Sequence, residues 1–165
     1  MRLVIDGRRL TAQRTGVGRY LESLLVEWSR SGLPVSPALL VLRDPGMGER
    51  LPTIPGMSME LGRPREPGIL WERMGLGTRL RRGDLLFAPA NLVPMNWTGT
   101  TLLVLHDLLV EAHPQGFSPW IRWWFGRRYR AASHAATRIL VPSVTTALDI
   151  QRFHGVSSDR IRVVP

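Results

Sequence analysis

The sequence has no cysteine and no lysine. Without cysteine there is neither a disulfide framework nor a thiolate metal site. The four histidines, His106, His113, His134 and His154, fall at no short metal-ligand spacing, so no bound metal ion is expected. Long hydrophobic runs are also missing: none approaches the roughly 18 apolar residues that a membrane-spanning helix needs. The N-terminus enters Arg2-Leu3-Val4-Ile5-Asp6 without a signal-peptide pattern, and a cytoplasmic location is expected. Because lysine is absent, all 22 basic residues are arginine, set against 13 acids, for a formal charge of +9. The arginine fork suits phosphate, so this balance favours a phosphate-bearing substrate, an anionic membrane surface or nucleic acid without choosing among them. The densest cluster, Arg79-Leu80-Arg81-Arg82, is short.

A length of 165 residues fits one domain over 1–165, and 44% hydrophobic with 21% charged residues describes an ordinary globular chain. Leu3-Val4-Ile5 reads as a strand buried on both faces. Val17, Leu21, Leu24, Leu25 and Trp28 recur at helical spacing, closed by Ser31-Gly32 and Pro34. A second strand is expected over Val35 to Leu42, a short one near Ser58 to Leu61, a helix from about Gly68 to Arg82, and a strand over Asp84 to Phe87. Thr100 to Leu105 is the clearest buried strand. A helix over about Ser118 to Ala136, a strand at Arg138 to Val141, a helix capped by Ser143 and closed by Gly155, and a strand at Ile161 to Val164 complete the chain. Short apolar strands alternating with helices predict an α/β fold with an open, doubly wound parallel sheet, Rossmann-like in class.

In such sheets ligands bind outside the carboxyl ends of the strands. Asp6-Gly7 with the following glycine loop, Ala88 to Asn91, His106-Asp107 and Pro142-Ser143 occupy those ends. Gly16, Val17 and Gly18 open a helix, whose amides and positive end could face a phosphate or sugar; a tight strand-to-helix connection would use the same glycines. His106 closes the strongest strand, a place better suited to a ligand than to a core. Asp107 and Asn91 suit substrate contact, or a cap and a turn. The expectation is that Gly16, Gly18, Asn91 and His106 line one continuous groove. The helix near 120–136 carries Trp120, Ile121, Trp123, Trp124, Phe125 and Tyr129 on a wide apolar arc. Arg122 and Arg130 lie on its narrow polar face, and Arg128, inside or beside the arc, needs an acidic or phosphate partner. That helix reads as a core-packing element with arginines reaching outward, in preference to one lying on a membrane.

The ordered blocks I-D-G-R-R-L-T-x-x-R-T-G-V-G-R-Y, D-L-L-F-A-P-A-N, L-L-V-L-H-D-L, R-I-L-V-P-S and D-R-I-R-V-V-P resemble glycosyltransferase family four, and within it the mannosyltransferase-like members. The resemblance spans almost the whole chain. It implies the N-terminal, acceptor-side half of a retaining, two-domain GT-B enzyme. Such an enzyme transfers a sugar from a nucleoside-diphosphate donor to a glycan or lipid-linked acceptor, commonly without a metal ion or other cofactor. It implies that Gly16, Val17 and Gly18 lie near the donor phosphates and that His106 faces the transferred sugar. Asn91, Asp107 and Arg128 are the candidate substrate contacts. The donor-binding half is expected to lie outside residues 1–165, so that this chain alone transfers no sugar.

A nicotinamide-dependent dehydrogenase would share the sheet class, but its fingerprint needs G-x-G-x-x-G in the first turn. Here the glycine pair comes ten residues past Asp6, and Tyr20 and Leu21 stand where the third glycine should be. A non-enzymatic module binding a phosphate-bearing ligand or an anionic surface is the other reading. Nucleic acid is not the expected partner, since no recognised signature appears and the arginines are spread over many segments. Peripheral contact with the inner face of a membrane, through arginines near 79–82 and 122–130, is compatible with the charge.

Overall fold

Aliphatic runs that need cover on both faces pair here into one all-parallel sheet. The structure, a computed structural model, describes residues 1–13, 15–63 and 68–165. Its seven strands are β1 (Leu3–Gly7), β2 (Ala38–Leu42), β3 (Met57–Leu61), β4 (Leu85–Ala88), β5 (Thr101–Val104), β6 (Arg138–Val141) and β7 (Ile161–Val163). They lie in the order β3-β2-β1-β4-β5-β6-β7. Ile5 on β1 faces Leu40 on one side and Phe87 on the other. The order reverses between β1 and β4, the switch point where a Rossmann-like sheet opens a crevice at its carboxyl edge.

The pleat sends alternate residues to opposite faces, so the sheet separates two cores. Ile5, Leu40 and Phe87 pack with Leu21 and Leu25 of α1 (Gly16–Ser31). Val4, Leu39 and Leu103 pack on the other face with Ala132 of α3 (Pro119–Ala135) and Ala147 of α4 (Val144–Asp149). Between β5 and α3 lies a single turn, α2 (Leu109–Ala112). The caps follow the sequence: Thr15, Ser118 and Ser143 accept from Gly18, Ile121 and Thr146 amides, and Gly155 ends the α4 region with φ 68°.

Three elements depart from the sequence reading. β2 starts at Ala38 rather than Val35; Pro34 and Pro37 have no amide proton to give a ladder. The helix expected from Gly68 to Arg82 is a π-helical turn over Trp71–Leu76 followed by a 3₁₀ turn over Gly77–Arg79. Trp71, Glu72, Gly75 and Leu76 all lie buried on one side of this turn. The last helix also loosens into a π-helical turn, Ile150–His154, which takes His154 into the interior.

Candidate functional site

The carboxyl edge at the switch point gathers residues from β4, β5, α1 and α3 around His106. Asn91, past the end of β4, adopts the left-handed conformation with φ 61°. Among non-glycine residues asparagine tolerates this best. So turned, its Oδ1 accepts the His106 amide at 3.0 Å. The His106 ring is fixed twice: Nε2 lies 3.0 Å from the Pro89 carbonyl oxygen, and Tyr20 of α1 meets the ring edge-on at 5.4 Å between centroids. A carbonyl oxygen only accepts, so Nε2 carries the proton and Nδ1 is the nitrogen of the neutral ring that can accept from a ligand hydroxyl. Tyr129 of α3 lies near the Asn91 side chain. Burial, with the nearby Asp107 and Glu111 carboxylates, holds its phenol above the ordinary value against the pull of Asn91 and Arg9. Burial raises Tyr20 as well. Both phenols are therefore proton-bearing at neutral pH.

The glycine loop sits at the same edge, but the expected single groove is divided. Gly18 lines a hollow of about 310 Å³ with Arg9, Thr11, Glu22, Met47 and Arg50. His106 lines a second of about 130 Å³ with Tyr20, Pro142 and Val164. Helix α1 stands between them, contributing Gly18 to one and Tyr20 to the other. The two glycines also differ in kind. A side-chain carbon on Gly18 would lie 2.6 Å from the Arg9 carbonyl oxygen, so the close approach it permits is to the chain's own backbone. Gly16 faces open space. Its amide and that of Val17 precede the helical hydrogen-bond ladder, at the positive end of α1. Arg14 of the loop lies outside the described residues.

Asp107 accepts from the Leu109 amide at 3.2 Å and so sets the entry to α2. Arg128 has the acidic partner its position requires, and that partner is internal. It is buried and pairs with Oε2 of Glu72, whose Oε1 takes Arg8 Nη1 at 2.7 Å. Arg8 closes the chain on Asp6 at 2.6 Å. Burial alone would lower the Arg8 pKa, but Asp6 and Glu72 hold it above its ordinary value. This alternating network of two carboxylates and two guanidiniums ties the end of β1 to the π-helical turn and to α3 beneath the rim. Arg128 thus frames the site rather than lining the His106 hollow.

Sequence reasoning missed Tyr20, Tyr129 and the Glu72 network. The Tyr20 position was in view only as a missing glycine, and Tyr129 only as part of an aromatic arc. Among the described residues no group of three or more His, Cys, Asp or Glu could hold a metal ion. No described helix is long and apolar enough to cross a membrane.

Comparison with known families gives one match: the family model described as Glycosyltransferase Family 4 aligns with residues 14–165. No curated protein sequence matches the chain.

Proposed function

Because the chain belongs to glycosyltransferase family 4, we propose that it forms the acceptor-side half of a retaining GT-B glycosyltransferase working in the cytoplasm. It would transfer a sugar, mannose by its sequence resemblance, from a nucleoside-diphosphate donor to a glycan or lipid-linked acceptor. What carries this reading is one juxtaposition within the matched region. The helix that opens at Gly16 also brings Tyr20 against His106, so the anion-favouring helix end and an oriented imidazole share one edge.

In this reading the donor phosphates approach the Gly16 and Val17 amides, where the positive end of α1 favours negative charge. His106 presents Nδ1 to a hydroxyl of the transferred sugar. Asn91 holds the His106 backbone, and Asp107 meets the acceptor with the carboxylate oxygen not bonded to Leu109. The leaving diphosphate is stabilised mainly by cations of a second, donor-binding domain facing this rim, and no metal ion takes part. Removing one positioned donor of charge stabilisation costs on the order of 2.7–4 kcal/mol in a barrier, so this half alone should neither bind donor tightly nor turn it over. Calorimetric titration with nucleoside-diphosphate sugars tests the division of labour. Weak or undetectable binding to residues 1–165 is expected, with binding restored when a donor-binding half is joined. Tight binding and turnover by residues 1–165 alone would put the donor site in this domain.

A further inference from the structure

The hollow of about 130 Å³ beside His106 has two polar side chains in its lining, Tyr20 and His106 itself. The rest of the lining is Val104, Leu140, Val141, Pro142, Val164 and Pro165. Each polar side chain keeps one atom that the fold does not use. His106 spends Nε2 on the Pro89 carbonyl, while its Nδ1 has no hydrogen-bond partner among the described residues. The Tyr20 hydroxyl has none either, and its residue is 36% exposed. Nδ1 is not among the buried unpaired atoms, so a ligand can reach both.

The position of the phenol follows from the helix. Leu21, the next residue, is fully buried against the sheet, and at 3.6 residues per turn a neighbour lies beside that buried face. From there the Tyr20 ring meets His106 edge-on, with 82° between the ring planes, a geometry that aromatic pairs favour. This packing needs the ring alone, and phenylalanine would supply it; the hydroxyl is surplus to the fold. Because burial raises the phenol above its ordinary value, it keeps its proton at neutral pH and can donate. Nδ1 of the neutral imidazole only accepts. An alcohol satisfies both at once, giving its proton to Nδ1 and taking one from Tyr20. An ether oxygen or a fluorine serves the phenol only, an ammonium the imidazole only, and a methylene neither.

We propose that Tyr20 is a specificity-determining residue: together with His106 it reads one hydroxyl of the transferred sugar, donating to the oxygen while Nδ1 accepts from the same group. No other side chain of the lining can replace either bond. A site built to hydrogen-bond a hydroxyl rejects the analogue that lacks it, because the site's own polar groups are then left unpaired. The proposal rests on reading this rim as the place of sugar transfer, and adds to it the group by which the sugar is chosen. It also gives the glycine-opened helix a second task, since α1 carries the phenol one turn beyond Gly16.

The test compares the parent, Tyr20→Phe and His106→Ala, each in the chain joined to a donor-binding half. The donors are guanosine diphosphate mannose and its analogues deoxygenated at each free hydroxyl of the sugar in turn. Tyr20→Phe should lower kcat/KM for the intact sugar by about three- to tenfold, the worth of one neutral hydrogen bond, and leave melting unchanged because the ring remains. On one of the deoxy donors that loss should vanish, since the bond is already missing there, and the loss in His106→Ala should shrink on the same donor. The proposal is overturned if Tyr20→Phe matches the parent on the intact sugar, or if its loss is the same on every deoxy donor. In either case, a His106→Ala loss that shrinks on one deoxy donor leaves the sugar assignment of the rim standing. His106→Ala turnover equal to the parent's on the intact sugar takes both readings down.

Discussion

The two glycines of the loop look alike in the sequence and are unlike in the fold. Gly18 is buried under the Arg9 carbonyl, and its amide is already held by Thr15 Oγ1 at 3.1 Å. Gly16 has neither constraint, so its lack of a side chain serves no packing need of this domain. Gly16→Ala should therefore leave the melting temperature near that of the parent, while Gly18→Ala should destabilise by about 1–3 kcal/mol through forced displacement of the β1–α1 connection. Thermal unfolding of the two variants side by side measures this. Equal losses would mean that the loop packs differently from the structure described. His106 was legible because it closes a strand at the edge where ligands bind. Asn91 was legible for the same reason, but the meeting of His106 with Tyr20 of α1 was not, because no local pattern encodes contact between separate elements.

Elements built on buried aliphatic runs were read correctly from sequence, because a parallel strand covered on both faces must be continuously apolar. The stretch after Gly68 is helical as expected, but its π-helical period was not legible, and Glu72, a charged residue that sequence patterning assigns to the outside, is 1% exposed here. The need for a partner at Arg128 was visible in the helical wheel, but its identity, 56 residues away, was not. The same network predicts a large effect. Glu72→Gln removes the carboxylate that faces both Arg8 and Arg128, leaving buried Arg128 uncompensated and Arg8 with Asp6 alone. Breaking a buried pair by deleting one partner costs about 3–5 kcal/mol. Urea unfolding should show a loss of that order for Glu72→Gln and a smaller one for Arg2→Gln, whose partner Asp84 also accepts from the Arg81 amide. Equal midpoints for Glu72→Gln and the parent would show that the network does not hold the π-helical turn.

At the scale of the molecule, the order β3-β2-β1-β4-β5-β6-β7 puts the switch point between β1 and β4. The residues past those strands and past β5 form the rim. A family 4 fold with a glycine-opened helix end and an oriented imidazole on one edge is the basis for reading this rim as the acceptor side of a sugar-transfer cleft. The measurement that bears on it most directly is turnover of His106→Ala, in the chain joined to a donor-binding half. Release of nucleoside diphosphate and donor affinity are followed together. If Nδ1 of His106 orients the transferred sugar, kcat should fall by one to two orders of magnitude, roughly the 10–100-fold expected for a loss of about 1.4–2.7 kcal/mol, while donor affinity changes much less. Unchanged kcat, or a loss confined to donor affinity, would contradict the assignment of this edge to the sugar.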